Sequence, residues 1–326
     1  MRSVRFDRFG EPAEVLKIVD TPAPRPGASE VLVRMKARPV NPSDLLTVRG
    51  LYGVLPRLPA SPGMEGAGVI EELGPGVGDL RVGQRVIPVG AQGTWQEYVL
   101  VRSDGVIPCP DAITDAAAAQ FVVNCLTAWV MTTEELALAP GEWLLQTAAA
   151  SALGRIVLQL SRLRGFRTIN VVRRREQADE LKELGADEVI CTADESLVER
   201  VMDITGGAGV RAAIDAVGGR LGGKVASLLG PGGTMLVYGL LSMEHVPLNT
   251  GRMIFRSTAV RGFWLDGWFR STPAVRQREI GGALLDLMAA GEVVPPVEAE
   301  YDLEDVMGAV RHAERPGRRG KILLVG

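Results

Sequence analysis

Along the first third of the chain the apolar positions fall in short runs with near alternation: "EVLVRMKARPV" at 30–40, "EGAGVIEELG" at 65–74, "GQRVIPV" at 83–89 and "TWQEYVLV" at 94–101. Runs of that length and period predict strands. Pro and Gly crowd the stretches between them, as in "TPAPRPGAS" at 21–29 and "LGPGVGDLRVG" at 73–83, which predicts a compact and mostly antiparallel β domain. From about Thr114 the texture changes, and "DAAAAQFVVNCLTAWVMTTEEL" at 115–136 has helical spacing and good helix formers.

Strand and helix patterns then alternate. The apolar run 143–146 leads through a small-residue loop into a helix carried by Ile156, Val157, Leu160 and Leu163. Next come "RTINVV" as a strand, "EQADELKELG" as a helix closed by Gly, "EVIC" as a strand, "SLVERVMDITGG" as a helix, and the strands of "VRAAIDAVGG" and "GGTMLVYG" around a further helix. This order predicts βαβ units, hence a doubly wound parallel sheet with helices on both faces. Such a sheet binds ligands at the carboxyl ends of its strands, which directs attention to residues 146–154, 173–175, 215–219 and 238–241. In the tail, "GGALLDLMAAG" and "LEDVMGAVRHAE" read as helices and "VEAEY" and "GKILLVG" as strands, so the last segment is expected to fold back onto the first domain. The division is 1–120 with 293–326 for the β-rich domain and 121–292 for the α/β domain.

Composition narrows the chemistry. A net charge of -3 and a pI near 5.7 supply no bulk attraction for nucleic acid or an anionic membrane, so a small-molecule partner is expected. Cys109, Cys125 and Cys191 are widely spaced and form no C-x-x-C pair, as isolated thiols in a reducing compartment do. There is no signal-peptide pattern, and no stretch nears the roughly 20 apolar residues of a membrane span. A cytoplasmic protein is the expectation.

The loop in "QTAAASALGRIVLQL" at 146–160 lies between the first strand and first helix of the βαβ series. Small residues there let backbone amides and a helix N-terminus approach a pyrophosphate. Of a G-x-G-x-x-G pattern only Gly154 survives, and an ordinary turn packed with Ala reads the same way locally. The next strand ends in "NVVRRRE", with Arg173, Arg174 and Arg175 and no acid before Glu176. A run of charges is most often a solvated corner. At this point of a βαβ unit, however, Arg suits the extra phosphate of NADPH, where an acid would suit NADH. His245 and His312 are the only histidines and neither has a Cys near it in sequence, so no zinc cluster is expected. His245 reads as a polar loop residue and His312 as solvent-facing near a helix end.

Six stretches carry a family resemblance over essentially the full length: "NPSD" at 41–44, "YGVLPRLPASPGMEG" at 52–66, "GTWQEYV" at 93–99, "RTINVVRRRE" at 167–176, "GGTMLVYG" at 232–239 and "RGFWLDGW" at 261–268. With them the chain resembles a zinc-independent medium-chain dehydrogenase/reductase, and within that superfamily the 2-enoyl thioester reductases of the mitochondrial type. The second and last stretches are the most specific. Gly63-Met64-Glu65 stands where zinc enzymes of the superfamily have Gly-His-Glu, and the phosphate loop "TAAASALG" departs from the family's Asn/Ser/Gly-rich form.

The resemblance implies a GroES-like catalytic domain and a Rossmann domain. It implies NADPH-dependent reduction of the carbon-carbon double bond of a trans-2-enoyl thioester carried by coenzyme A or acyl carrier protein, and a homodimer. It places the proton donor at Tyr52, which without the family reads more readily as a loop anchor. Cofactor contacts fall at Asn41, Gln146, Ala149, Ser151, Ala152, Leu153, Gly154, Arg173, Arg175, Tyr238, Gly239, Phe263 and Trp264. Asn41, Tyr52, Trp95, Tyr238, Phe263 and Trp264 are expected to line the cleft between the domains. Two rival readings stand beside this one: an NADPH:quinone or alkenal reductase of the same architecture, and a non-catalytic NADPH-binding sensor.

Overall fold

The computed structural model describes residues 1–326. Fifteen strands follow one another along the chain. β1 (Arg2–Arg5), β2 (Lys17–Asp20), β3 (Glu30–Pro39), β4 (Ala67–Leu73), β5 (Arg85–Pro88), β6 (Tyr98–Arg102) and β7 (Val106–Pro108) precede the parallel set, which is β8 (Trp143–Gln146), β9 (Arg167–Val172), β10 (Glu188–Cys191), β11 (Val210–Asp215), β12 (Leu229–Val237) and β13 (Ala259–Gly262). β14 (Val297–Asp302) and β15 (Lys321–Val325) close the chain. Two compact units result, one from Met1–Cys125 with Leu285–Gly326 and the other from Leu126–Leu284.

In the first unit a seven-stranded sheet runs β14-β15-β3-β4-β5-β7, with β6 also on β3. β3 is its axis: one edge pairs with β4, and the other is shared between β6 at Glu30–Arg34 and β15 at Ala37–Pro39. Val31, Val33 and Met35 of β3 pack with Ile70, Val86, Val99 and Val101. On β15, Ile322 and Leu324 join Phe6, Val48, Trp95, Leu303 and Val310 in a second cluster. Each such buried side chain contributes about 1.5–3 kcal/mol, which holds the tail in this unit. Arg38 is fully buried in the same seam and donates to the carbonyls of Gln96 (3.0 Å), Leu324 (3.4 Å) and Gly326 (3.0 Å).

The second unit is a doubly wound sheet in the order β10-β9-β8-β11-β12-β13, parallel throughout. Its inner strands carry apolar runs such as Leu144–Leu145, Val171–Val172 and Met235–Val237 because helices cover both faces. The helix Ala152–Arg164 starts at Ser151, whose hydroxyl accepts the Gly154 N–H (3.2 Å), and stops at Gly165, where φ is +77°.

The helical stretch expected over 115–136 is broken. A single α-turn, Asp115–Ala118, is followed by π-helical segments at Phe121–Leu126 and Val130–Glu135. The first π-segment frees the Val123 N–H to donate to the Glu65 carboxylate (2.8 Å), a partner that local spacing does not reveal.

Gly154 meets a steric limit. A Cβ there would lie 2.3 Å from the Ala149 carbonyl oxygen, so the helix touches the preceding loop backbone to backbone. Gly154→Ala is expected to lower stability by about 1–3 kcal/mol, read from the urea midpoint. An unchanged midpoint would mean that the loop yields without cost.

Candidate active site

Within the parallel unit the ladder sets Gln146 beside Asn170 of β9 and Ile214 of β11. The chain winds outward in opposite directions from β8 and β11, so a crevice opens at their carboxyl ends. Thr147 leads into it. Its hydroxyl donates to Asp215 Oδ1 (2.6 Å) and accepts from the Ala216 N–H (3.0 Å), while the buried Asp215 also accepts the N–H groups of Val217 (3.0 Å) and Gly218 (2.9 Å). The turn after β11 is thereby pinned to the loop after β8.

Ala148 turns that loop with φ +49°, a left-handed conformation a non-glycine residue adopts at a cost of the order of 1 kcal/mol. Ala149 and Ala150 pack beneath, and Ser151 caps the helix. The amides of Ala152 and Leu153 belong to its first turn, at the positive end of a thirteen-residue dipole. Arg173, Arg174 and Arg175 are exposed past the end of β9 with no acid among them, and Arg175 pairs with Asp194 (3.4 Å). Small side chains, a helix N-terminus and guanidinium groups at the neighbouring strand end fit a phosphorylated dinucleotide.

At the ends of β12 and β13, the Tyr238 N–H donates to Asp215 O and the Phe263 N–H to Val237 O, both at 2.9 Å. Burial, with Asp215 adding to it, pushes the Tyr238 phenol pKa above its ordinary value. A Cβ on Gly239 would lie 2.7 Å from Ala216 O. The Arg270 guanidinium lies over the Trp264 ring at 4.8 Å.

Tyr52 lies in the other unit, on a loop fixed at both ends. Upstream, the helix Pro42–Arg49 closes at Gly50 (φ +74°), and the Leu51 N–H returns to Leu46 O (2.8 Å). Downstream, Ala60 and Phe6 exchange two backbone hydrogen bonds (2.9 and 3.0 Å), and Ser61 meets Ser3 hydroxyl to hydroxyl at 2.9 Å. Between these anchors Leu51, Val54 and Leu55 are exposed and Tyr52 is half-buried.

Four residues singled out in the sequence are already partnered within the protein. Trp95 is fully buried among Val4, Phe6 and Val48, and its Nε1–H donates to Pro39 O (3.3 Å). Asn41 is fully buried too. Its Nδ2 donates to Glu65 Oε1 (2.8 Å), and its Oδ1 accepts from Lys321 and from Asn124 (3.5 Å), so the carboxamide is spent inside the protein. Gln146 is also buried, and its Nε2 ties Asn170 Oδ1 (2.6 Å) to Gly154 O (3.2 Å), which makes it a support of the loop. His312 is not simply solvent-facing either, since Tyr301 Oη lies 2.9 Å from its Nδ1 and Glu298 lies 3.6 Å from its Nε2.

A buried polar network was absent from the sequence reading. Glu65 is held by Asn41 and by the Val123 N–H, and its own carbonyl accepts from Thr94 (2.7 Å). Asp44 accepts the Asn41 N–H (2.8 Å), and Lys321 reaches Asn41 Oδ1. Desolvation is the leading cause of each shift here: it raises Glu65, raises Asp44 to about 7 and lowers Lys321. No three His, Cys, Asp or Glu side chains converge as a metal site would require.

Comparison with known proteins follows the same division. Residues 27–111 match the alcohol dehydrogenase GroES-like domain, and 152–278 match the zinc-binding dehydrogenase family. The chain is 34% identical to the mitochondrial enoyl-[acyl-carrier-protein] reductase of Xenopus tropicalis, across 99% of this chain and 95% of that protein. Escherichia coli quinone oxidoreductase, solved as a complex with NADPH, superposes with a TM-score of 0.92 at 30% identity, covering both chains completely. The ETR1P/NADP/crotonyl-CoA complex superposes with a TM-score of 0.85 at 27% identity, over 100% of this chain and 99% of that one. The fold is thus that of a two-unit dehydrogenase, with a GroES-like unit and a Rossmann unit. The chain belongs to the medium-chain dehydrogenase/reductase superfamily.

The buried Asp44 yields a pH test. A carboxyl with a higher pKa folded than unfolded stabilises fully below its ordinary value of 3.8, and that stability is lost as pH rises towards 7. Asp44→Asn removes the loss while keeping an acceptor for the Asn41 N–H. Urea midpoints should show the variant gaining on wild type between pH 3 and pH 8, by up to about 4 kcal/mol. A wild type that is the more stable at pH 8 would mean that the carboxylate is held more firmly than its raised pKa allows.

Proposed function

We propose that this chain, an NADPH-dependent oxidoreductase of the medium-chain dehydrogenase/reductase superfamily, reduces the carbon-carbon double bond of a trans-2-enoyl thioester of coenzyme A or acyl carrier protein. The observation that carries the reading is the nearly full-length similarity to a mitochondrial enoyl-[acyl-carrier-protein] reductase. A loop anchored at both ends around Tyr52 supports it. When bound, NADPH supplies a hydride for the β-carbon of the substrate.

The residues have distinct tasks. Arg173 and Arg175 would hold the 2′-phosphate of the bound cofactor, and the amides of Ala152 and Leu153 its pyrophosphate. Hydride addition makes an enolate that needs a hydrogen bond to its oxygen and a proton at its α-carbon, and Tyr52 provides one of these. Anchoring matters because a phenol held in place loses less entropy on reaching the transition state.

Quinone or alkenal reduction is the second reading, favoured by the superposition on Escherichia coli quinone oxidoreductase. The two readings divide at Tyr52. Tyr52→Phe keeps the ring and should lower thioester turnover by roughly 10²–10⁴-fold, with NADPH affinity unchanged and quinone reduction hardly altered. Steady-state kinetics with crotonyl-CoA and a benzoquinone check this. Undiminished thioester turnover would make Tyr52 a loop anchor.

Cofactor choice is tested separately by fluorescence titration. NADPH should bind more tightly than NADH, and Arg173→Ala with Arg175→Ala should erase most of the difference, at about 1.5–3 kcal/mol for each charge-assisted bond. Equal affinities in the unaltered protein would contradict the phosphate assignment.

A further inference from the structure

The helix Pro42–Arg49 connects two features described separately above. Its N-cap is Asn41, inside the buried network, and Tyr52 follows two residues beyond its closing Gly50. Leu45 and Val48 seat it in the apolar core, but such contacts are non-directional and leave sliding and rolling unopposed. Direction comes from the ends. At the C-terminal end Arg49 pairs with Glu11 (2.8 Å) and Glu314 (2.5 Å), and the Gly10 N–H donates to Val48 O (3.0 Å). At the N-terminal end the Asn41 side chain is held by Glu65, Asn124 and Lys321, and its N–H by Asp44.

Stability alone does not account for those charges. Removing two carboxylates and an ammonium from water costs several kcal/mol per ion, and apolar replacements are often as stable or more so. What directed hydrogen bonds add is a single orientation. The charged and titratable groups here are Asp44 from the helix, Glu65 from its loop, Lys321 from β15, Arg318 before it, and Cys125 from the π-segment. Lys321 is the cation that binds Asn41 directly, and it stands beside β3 in the same sheet, where Val40 N–H meets Ile322 O (2.9 Å).

We propose that Lys321 is a positioning residue: through Asn41 and Glu65 it fixes the orientation of the helix Pro42–Arg49, and the helix fixes the place of Tyr52. Its catalytic consequence rests on the reading of Tyr52 as the group that meets the enolate; its structural consequence does not.

Hydrogen–deuterium exchange and steady-state kinetics on Lys321→Met and Lys321→Arg test it. In Lys321→Met the amides of 45–51 should exchange at least tenfold faster, while those of β8 keep their protection. The kcat for crotonyl-CoA should fall at least tenfold, with NADPH affinity within twofold of wild type. Lys321→Arg, which keeps the cation, should recover most of both. If Lys321→Met does not fold, Lys321→Met with Glu65→Gln removes one charge of each sign and is read in the same way.

Unchanged protection at 45–51 in a folded variant overturns the proposal, whatever happens to turnover. Faster exchange at 45–51 together with full thioester turnover in Tyr52→Phe upholds the positioning role and removes the donor role instead.

Discussion

A carboxylate withdrawn from water must be surrounded by donors, and Glu65 obliges its whole neighbourhood to supply them. One oxygen takes the Asn41 amide and the other the Val123 N–H, which is available because the backbone there winds as a π-helix. Asn41, so engaged, presents its oxygen to Lys321, which draws β15 into the same constellation. Elements distant in sequence are thereby committed to one arrangement. The exchange of hydrogen bonds, more than net electrostatic gain, explains why polar groups occupy this part of the interior.

The Rossmann unit solves a related problem by other means. At the carboxyl ends of its strands main chain packs against main chain, so the residues there must be small. Gly154 and Gly239 allow main chain to lie against main chain, and the Thr147–Asp215 pair holds two strand-end loops at a constant separation. Beside the buried Asp215, charge enters at the periphery, where the arginines after β9 remain exposed and free of burial cost. Close-packed backbone within and exposed guanidinium groups outside suit a ligand with a compact pyrophosphate and a protruding phosphate.

Much of this architecture was legible in the sequence because parallel strands buried on two faces are written as apolar runs, such as 143–145 and 235–237, separated by helical periods. The return of the tail was legible for the same reason: "KILLV" has no stable place in solvent. Positions whose environment depends on distant residues were not legible. Trp95 and Asn41 occur in motifs that point to a ligand, yet their burial is decided by β1, β15 and the loop at 61–66. Lys321 gives no local sign at all, since a lysine before a strand is ordinarily solvated. The role of Phe121–Leu126 was hidden because Glu65, the partner of its Val123 N–H, is distant in sequence, and the setting of His312 because Tyr301 and Glu298 meet it from β14.

The first unit is assembled from both ends of the sequence, and this orders events during synthesis. The residues of the Rossmann unit are all present before those after Leu284 have been added. Until β15 emerges, the end of β3 from Ala37 to Pro39 has an open edge, Asn41 lacks its cation, and Arg38 lacks two of its carbonyl partners. An unpaired edge beside incomplete core is a place where nascent chains associate wrongly. The GroES-like unit, largely translated first, is therefore completed only after every residue of the Rossmann unit has been made.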